Sequence, residues 1–386
     1  MALTLRTRSD YKSDEKRFSA KITFDPIPEM GNRADYALVL NGSIAPSTPA
    51  DVVGYAAVIA SEGTDHPSTD SNAPLVQVPS VDHLKPGYIV SIEPRTGMVI
   101  TVFRPDSRHN VIFTTERCNS NCLMCSQPPK DIDDSWRIQE HMRILSLIDT
   151  PPEFLCITGG EPTLLGDGLL QILNEIKVRL PGTGVQMLTN GRTYKDATFT
   201  AKVAAVQHPQ LISAIPLYAD IASIHDYIVQ AQGAFDETVE GIYNAAEAGL
   251  LVEIRIVLHK QSIPRLRQLA EFIYRNFPFV AHVAFMGMEH MGYVKKNWES
   301  LWIDPADYMP ALQDAVEYLW QRRMNVSIYN LQLCLLPKDL WQIGRKSISD
   351  FKNEYVGECD GCRQREHCAG LFTSQVGRYS RYLKRL

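Results

Sequence analysis

From residue 110 onward the chain alternates between two textures, and this alternation limits its possible folds most. Six apolar, β-prone runs follow one another: NVIFTTE (110–116), EFLCITGG (153–160), VQMLTNG (185–191), LISAIPLYAD (211–220), LVEIRIVLHK (251–260) and AHVAFMGM (281–288). Between most of them, apolar residues recur at helical spacing: Ile138, Met142 and Leu145; Leu169, Ile172, Leu173, Ile176 and Leu180; Phe235, Val239, Ile242 and Ala246; Leu266, Leu269 and Ile273. Strands that are apolar along their length belong in a parallel sheet covered on both faces. The expected fold is α/β, a partial (β/α)6 TIM-like barrel. Such a barrel gathers its chemistry at the C-terminal ends of its strands.

The polar motifs fall on those ends. Cys118, Cys122 and Cys125 follow the first run, GGEPT the second, TNG the third and YAD the fourth. The chain has eight cysteines. Its N-terminal stretch is interrupted by charges and has no apolar core of the secretory kind. No window approaches 18 uninterrupted apolar residues. The expectation is a cytoplasmic protein with no membrane association. In a reducing compartment, clustered cysteines read as metal ligands before disulfides. Cys334, Cys359, Cys362 and Cys368 form a second group, and Cys156 in its apolar run reads as a small buried hydrophobe.

The net charge of −5 gives no sign of a nucleic-acid-binding surface. Residues 1–108 differ in texture from the rest. YALVL, YAAVIA and MVITVF are β-rich runs separated by turn formers, and GYIVSIEPRTGMVITVFR reads as a hairpin around PRTG. This is expected to be a small β-rich domain, barrel-like or sandwich-like. Residues 109–303 are expected to form the α/β core. Residues 304–386 add a helix marked by Tyr308, Leu312, Ala315 and Leu319, a strand in NVSIYNLQLCLL, and a loop-rich extension with the second cysteine group.

The first group, C-x3-C-x2-C, is one ligand short of a closed tetrahedral zinc site. A cubane cluster has four irons, so three thiolates would leave one iron open. CNSNCLMC with GGEPT downstream resembles the radical S-adenosylmethionine (SAM) superfamily. The resemblance implies a [4Fe–4S] cluster on Cys118, Cys122 and Cys125 with SAM chelating the open iron. It implies reductive cleavage of SAM to a 5′-deoxyadenosyl radical, fed by an external donor of the flavodoxin or ferredoxin type. It also implies SAM contacts at Gly159, Gly160, Glu161 and Pro162, at Thr189 and Asn190, and at Tyr218 and Asp220. The glycines would let the backbone approach the ligand. Arg255 is a candidate for the SAM carboxylate, or else a barrel-interior arginine paired with Glu253. Met124 stands where the family usually has an aromatic residue beside the adenine, and a thioether can pack on a ring too.

The second group, CDGCRQREHC with Cys334 upstream, supplies four thiolates, enough for zinc or for a complete four-iron cluster. It is similar to the SPASM or twitch extensions of peptide-modifying radical SAM enzymes, which implies an auxiliary [4Fe–4S] cluster. NVIFTTERCNSNCLMCSQPP, LYADIASIHDYIVQ and YNLQLCLLPKDLW…SISDFKNEY…CDGC together resemble the His-Xaa-Ser system radical SAM maturases of the C-component type. That implies a ribosomally made peptide substrate and a second radical SAM protein as partner. Competing readings are a radical SAM enzyme acting on a small molecule or RNA, a two-cluster electron carrier, and a scaffold subunit.

Overall fold

A computed structural model describes residues 6–27, 30–40, 52–64, 73–346 and 353–386. The turn segments expected within 41–51 and 65–72, and residues 347–352 of the maturase resemblance, lie outside the described residues. The chain divides into two compact units. One comprises Met1–Ile112, Trp136–Leu155 and Glu175–Thr183, the other Phe113–Ser135, Cys156–Asn174 and Gly184–Leu386.

The first unit is built on a seven-stranded sheet. Its strands are β1 (Arg6–Arg8), β2 (Phe18–Thr23), β3 (Tyr36–Leu40), β4 (Ala57–Ser61), β5 (Leu75–Val78), β6 (Ile89–Glu93) and β7 (Met98–Phe103). Their order is β1-β7-β6-β2-β3-β4-β5. Just past β1, Asp10 N donates to Gln77 O of β5 and Gln77 N donates to Asp10 Oδ1, both at 3.2 Å. The two ends of the strand order therefore meet, and the sheet is barrel-like. Ala20, Ile22, Val39, Ile59, Val76, Val90 and Ile92 pack one core; Leu38, Leu40, Val58 and Tyr55 pack another. The hairpin around PRTG is present as β6–β7. Helix α1 (Trp136–Ser146) belongs to this unit. Arg17 Nε bonds to the buried Glu140 at 2.5 Å, and Lys21 Nζ to Asp149 at 2.7 Å.

The other sheet has eight strands: β8 (Asn110–Phe113), β9 (Phe154–Thr158), β10 (Gly184–Leu188), β11 (Leu211–Pro216), β12 (Leu251–Leu258), β13 (His282–Gly287), β14 (Val326–Tyr329) and β15 (Gly344–Arg345). They lie in chain order, and every pairing from β10 to β15 is parallel. The six expected strands are the first six. The sheet then continues through β14 and β15, which come from beyond residue 303. The run NVSIYNLQLCLL is strand only to Tyr329, because Asn330 turns into the left-handed region at φ 61°. Helices α2 (Asp167–Arg179), α5 (Ala234–Glu247), α6 (Leu266–Asn276) and α8 (Pro305–Trp320) match the expected periods. Helices α3 (Ala197–Ala205), α4 (Ala222–Val229) and α7 (Trp298–Leu301) were not expected. No helix among the described residues is long and apolar enough to cross a membrane.

Alternation along β12 and β13 decides what faces the inside of this sheet. Ile254, Ile256, Val283 and Phe285 are buried in the outer layer. Leu188, Ala214, Glu253 and His282 stand side by side in one register row, and Arg255 follows two positions on. A polar set therefore lies on the inner face beneath the strand ends.

Gly97 closes the β6–β7 turn at φ 69°, and a Cβ there would lie 2.6 Å from Ser9 O. Gly97→Ala is expected to destabilise the chain by about 1–3 kcal/mol, through left-handed strain and displacement of β1. Denaturant unfolding of the purified variant measures this.

Candidate active site at the strand ends

The cysteine loop leaves β8 and is clamped from three sides. At the end of α4, Val229 O and Ile228 O accept from Asn121 N and Leu123 N, both at 2.9 Å. Asn297 Nδ2 donates to Leu123 O at 2.8 Å, and Tyr293 N to Cys125 O at 2.9 Å. Gly292 makes this approach possible, since a Cβ there would fall 2.2 Å from Cys125 O. Arg192 donates to Ser120 Oγ at 3.1 Å and also to Asn119 O, and is itself held by Glu237 at 2.6 Å. The clamp fixes a loop that has no regular structure of its own.

Three partly exposed thiols result. Burial, aggravated by Glu161 and Cys125, pushes Cys118 up to about 11. Burial, together with Cys118 and Cys125, pushes Cys122 up to about 12, and burial also raises Cys125. Three thiolates here would repel one another in a poorly solvated loop, and a polycationic metal core supplies the missing counter-charge. Cys118 Sγ accepts from Ser120 N at 3.4 Å and from Asn190 Nδ2 at 3.9 Å. The donor set fits iron–sulfur ligation. Among the described residues no three Cys, His, Asp or Glu groups converge on a single metal ion; a four-iron cluster takes one terminal ligand per iron.

Gly159 and Gly160 give clearance to protein backbone. A Cβ on Gly159 would meet Thr115 O at 2.7 Å, and one on Gly160 would meet Arg117 O at 2.1 Å. Gly160 N donates to Thr115 O at 2.6 Å and Glu161 N to Arg117 O at 2.8 Å. The glycine pair thus lets the GGEPT turn lie against the strand-to-cysteine segment.

Glu161 is wholly buried, and its carboxylate is a junction. Oε1 accepts from Thr163 N at 3.0 Å, Thr163 Oγ1 at 2.7 Å and Thr189 Oγ1 at 2.6 Å; Oε2 accepts from Asn190 N at 2.6 Å. Burial raises its pKa, and the four donors oppose that rise. Pro162 opens the short helical turn that Glu161 caps.

The other expected positions reach the same region with different freedom. Asn190 spans Asn119 Oδ1 at 2.6 Å and the Cys118 sulfur. Met124 and Tyr218 lie in one apolar cluster with Met288, against which Cys122, Trp298 and Trp302 pack. Asp220 is already engaged by Arg265 at 2.6 and 2.7 Å. Arg255 lies 3.6 Å from Glu253 and donates to Met286 Sδ at 3.0 and 3.2 Å. Glu253 in turn meets His282 Nδ1 at 2.8 Å and Gln186 Nε2 at 3.1 Å. Cys156 stands close enough to this set for Arg255 and Glu253 to act on its thiol, although burial dominates and pushes it to about 11. The loop-clamping residues Arg192, Asn119 and Asn297, and His282 as a second partner of Glu253, were not singled out from sequence. Their partners are remote in the chain and no local pattern marks them.

The second cysteine group assembles. Cys334 feels the charges of Cys368 and Cys359, and Cys359 those of Cys368 and Cys362. Backbone amides point at two of the sulfurs: Leu333 N at 3.5 Å from Cys368 Sγ and Leu386 N at 3.4 Å from Cys362 Sγ. Cys334, 25 residues upstream of Cys359, is thus brought near Cys359 and Cys368.

Comparison with known proteins finds a family that part of the chain resembles. The radical SAM superfamily model matches residues 112–273. Those residues, which span the cysteine loop and GGEPT, are similar to that superfamily. The chain is 29% identical over 169 residues to Fe-coproporphyrin III synthase of Methanosarcina barkeri, covering 42% of this chain and 40% of that one. It is 27% identical over 189 residues to GTP 3′,8-cyclase of Petrotoga mobilis, covering 47% and 55%. The chain thus spans about half the length of the curated relatives it matches. In fold the likeness extends further: anSMEcpe with bound AdoMet and a peptide superposes with a TM-score of 0.51 at 13% identity, covering 72% of this chain and 92% of that one.

Glu161→Gln replaces an acceptor-only group with an amide that cannot accept from all four donors. It is expected to cost about 1.5–3 kcal/mol, read as a lowered denaturant midpoint. His225 and His259 flank Tyr218, at ring distances of 5.8 and 6.1 Å, and burial lowers them to about 4 and about 3. The unfolded chain binds more protons than the folded one below about pH 6.5, so stability should fall as pH drops from about 6.5 towards 4.5. Urea midpoints across that range test the sign, and His225→Phe should flatten the slope.

Proposed function

We propose that the chain is a radical SAM enzyme that modifies a ribosomally made peptide of the His-Xaa-Ser type. Cys118, Cys122 and Cys125 would hold a [4Fe–4S] cluster with one iron left for SAM. With SAM bound there, those three cysteines would hold a group able to supply the electron for reductive cleavage of SAM, the superfamily's route to hydrogen abstraction. The observation that carries the reading is the three-thiol loop clamped at the mouth of a parallel sheet and braced by Glu161.

The chain's own residues divide the remaining work. Arg192, Asn297 and the α4 carbonyls hold the thiols in place. Glu161 binds the GGEPT turn to Thr189 and Asn190, so the loops that face SAM move as one body. Met124 and Tyr218 offer apolar surface for the adenine. Asp220 and Arg255 would serve the ribose and the carboxylate by sharing them with their present partners, Arg265 and Glu253.

Cys334, Cys359, Cys362 and Cys368 would hold an auxiliary [4Fe–4S] cluster. The gathered thiol quartet and the motif resemblance support the peptide reading. The assignment carries with it a flavodoxin- or ferredoxin-type electron donor, a second radical SAM protein as partner, and a reducing cytoplasmic setting.

Anaerobic reconstitution with iron, sulfide, SAM and reductant should yield about eight irons per chain, as two four-iron clusters require, and release 5′-deoxyadenosine. Cys122→Ala should abolish the nucleoside. The Cys359→Ala, Cys362→Ala pair should keep SAM cleavage and lose any mass change on a co-expressed peptide. Modification of GTP in place of peptide would overturn the substrate assignment.

A further inference from the structure

A small cavity lies at the ends of β12, β13 and β14, where the C-terminal extension folds over them. Its volume is about 20 Å³, close to the room needed by one water molecule. Met288, His290, Trp302, Tyr308, Asn330 and Tyr379 contribute to its lining, and no Asp, Glu, Lys or Arg does. The extension is fastened above it. Gln375 Nε2 donates to Met288 O at 3.1 Å, Gln332 Nε2 to Gly370 O at 2.6 Å, and Ser380 Oγ to Asp304 Oδ1 at 2.6 Å.

Two groups in this lining are unsatisfied. His290 is 4% exposed, and both of its ring nitrogens lack a hydrogen-bond partner. Its plane is fixed by perpendicular contacts with Trp298 and Trp302, at 4.8 and 5.0 Å, and those indoles stack on each other. Asn330 Oδ1 is also buried without a partner, while its Nδ2 reaches Gly287 O at 3.4 Å. Its backbone is left-handed, and a Cβ on Gly287 would lie 2.4 Å from Asn330 O, so the two strand ends are pressed together here. Each unsatisfied buried group costs about 1–3 kcal/mol. A rigid, buried pair of such groups calls for a ligand that completes them.

We infer that this cavity is a substrate subsite for a small neutral group that both donates and accepts a hydrogen bond, of the size of a side-chain hydroxyl. The hydroxyl would donate to Asn330 Oδ1 and accept from an imidazole N–H of His290. A charged group is excluded because no counter-charge lines the cavity. Burial keeps the imidazole neutral by lowering it to about 4, and Arg378 adds to this. A larger side chain is excluded by volume. The subsite adjoins the thiol loop, because Met288 and Trp302 belong both to its wall and to the apolar cluster of Met124, Tyr218 and Cys122. Identifying the hydroxyl as part of a peptide rests on the proposed function; the recognition chemistry does not.

The test is a matched pair of probes on full-length protein with ¹⁵N-labelled histidine and tryptophan. N-acetylserinamide should give a saturable shift of the His290 ring nitrogens. N-acetylalaninamide, which differs by one hydroxyl, should bind at least about tenfold more weakly. N-acetylaspartamide, with its carboxylate, should not shift them. In His290→Phe, read at the Trp302 indole N–H, the serine and alanine probes should become equivalent. Equal response to both probes in the native chain, or none because the cavity keeps its water, would overturn the subsite. A serine-specific response without modification of any peptide would leave the subsite standing and remove the peptide reading.

Discussion

One buried carboxylate ties the site together. Glu161 receives four hydrogen bonds, from its own turn and from the loop after the next strand. A carboxylate without these donors would not stay buried, and the donors without it would be left unsatisfied in a dry interior. The turn it sits on is pressed against Thr115–Arg117 by the two preceding glycines. Three strand ends, those of β8, β9 and β10, are thereby locked in one geometry. The cysteine loop inherits that geometry, because its first thiol emerges immediately after Arg117.

The outer wall of the site comes from later in the chain. The α4 carbonyls, Asn297 and Gly292 close on the cysteine loop from the far side of the sheet. Their role explains why a loop of small and polar residues can be ordered without regular structure. The inner face carries the Glu253–His282–Gln186 set with Arg255 above it. The apolar cluster of Met124, Tyr218 and Met288 forms a separate part of the site.

What could be read from the sequence followed from locality. The strands show as apolar runs and the helices as 3.6-residue periods, so the parallel sheet and four of its helices were legible. The C-x3-C-x2-C spacing is local too, and the thiol loop was found with its neighbours GGEPT and TNG. Helices α3 and α4 are short and sit beside strand-end motifs, which hid them. The continuation of the sheet by β14 and β15 was hidden because each is brief and followed by an irregular turn. Glycines Gly159 and Gly160 were recognised as a close approach, but only the fold shows that backbone is what approaches. Arg255 had two readings, and the fold places it beside Glu253. The approach of Cys334 to Cys359 and Cys368 is a tertiary event that no spacing encodes.

The central claim is that Cys118, Cys122 and Cys125 hold a cluster with one iron reserved for SAM. Electron paramagnetic resonance of the reduced, reconstituted chain carrying Cys334, Cys359, Cys362 and Cys368 as alanines tests it most directly. The account predicts the signal of one four-iron cluster whose g-values shift when SAM is added. A signal indifferent to SAM, or no cluster in this variant when the native chain holds one, would contradict it.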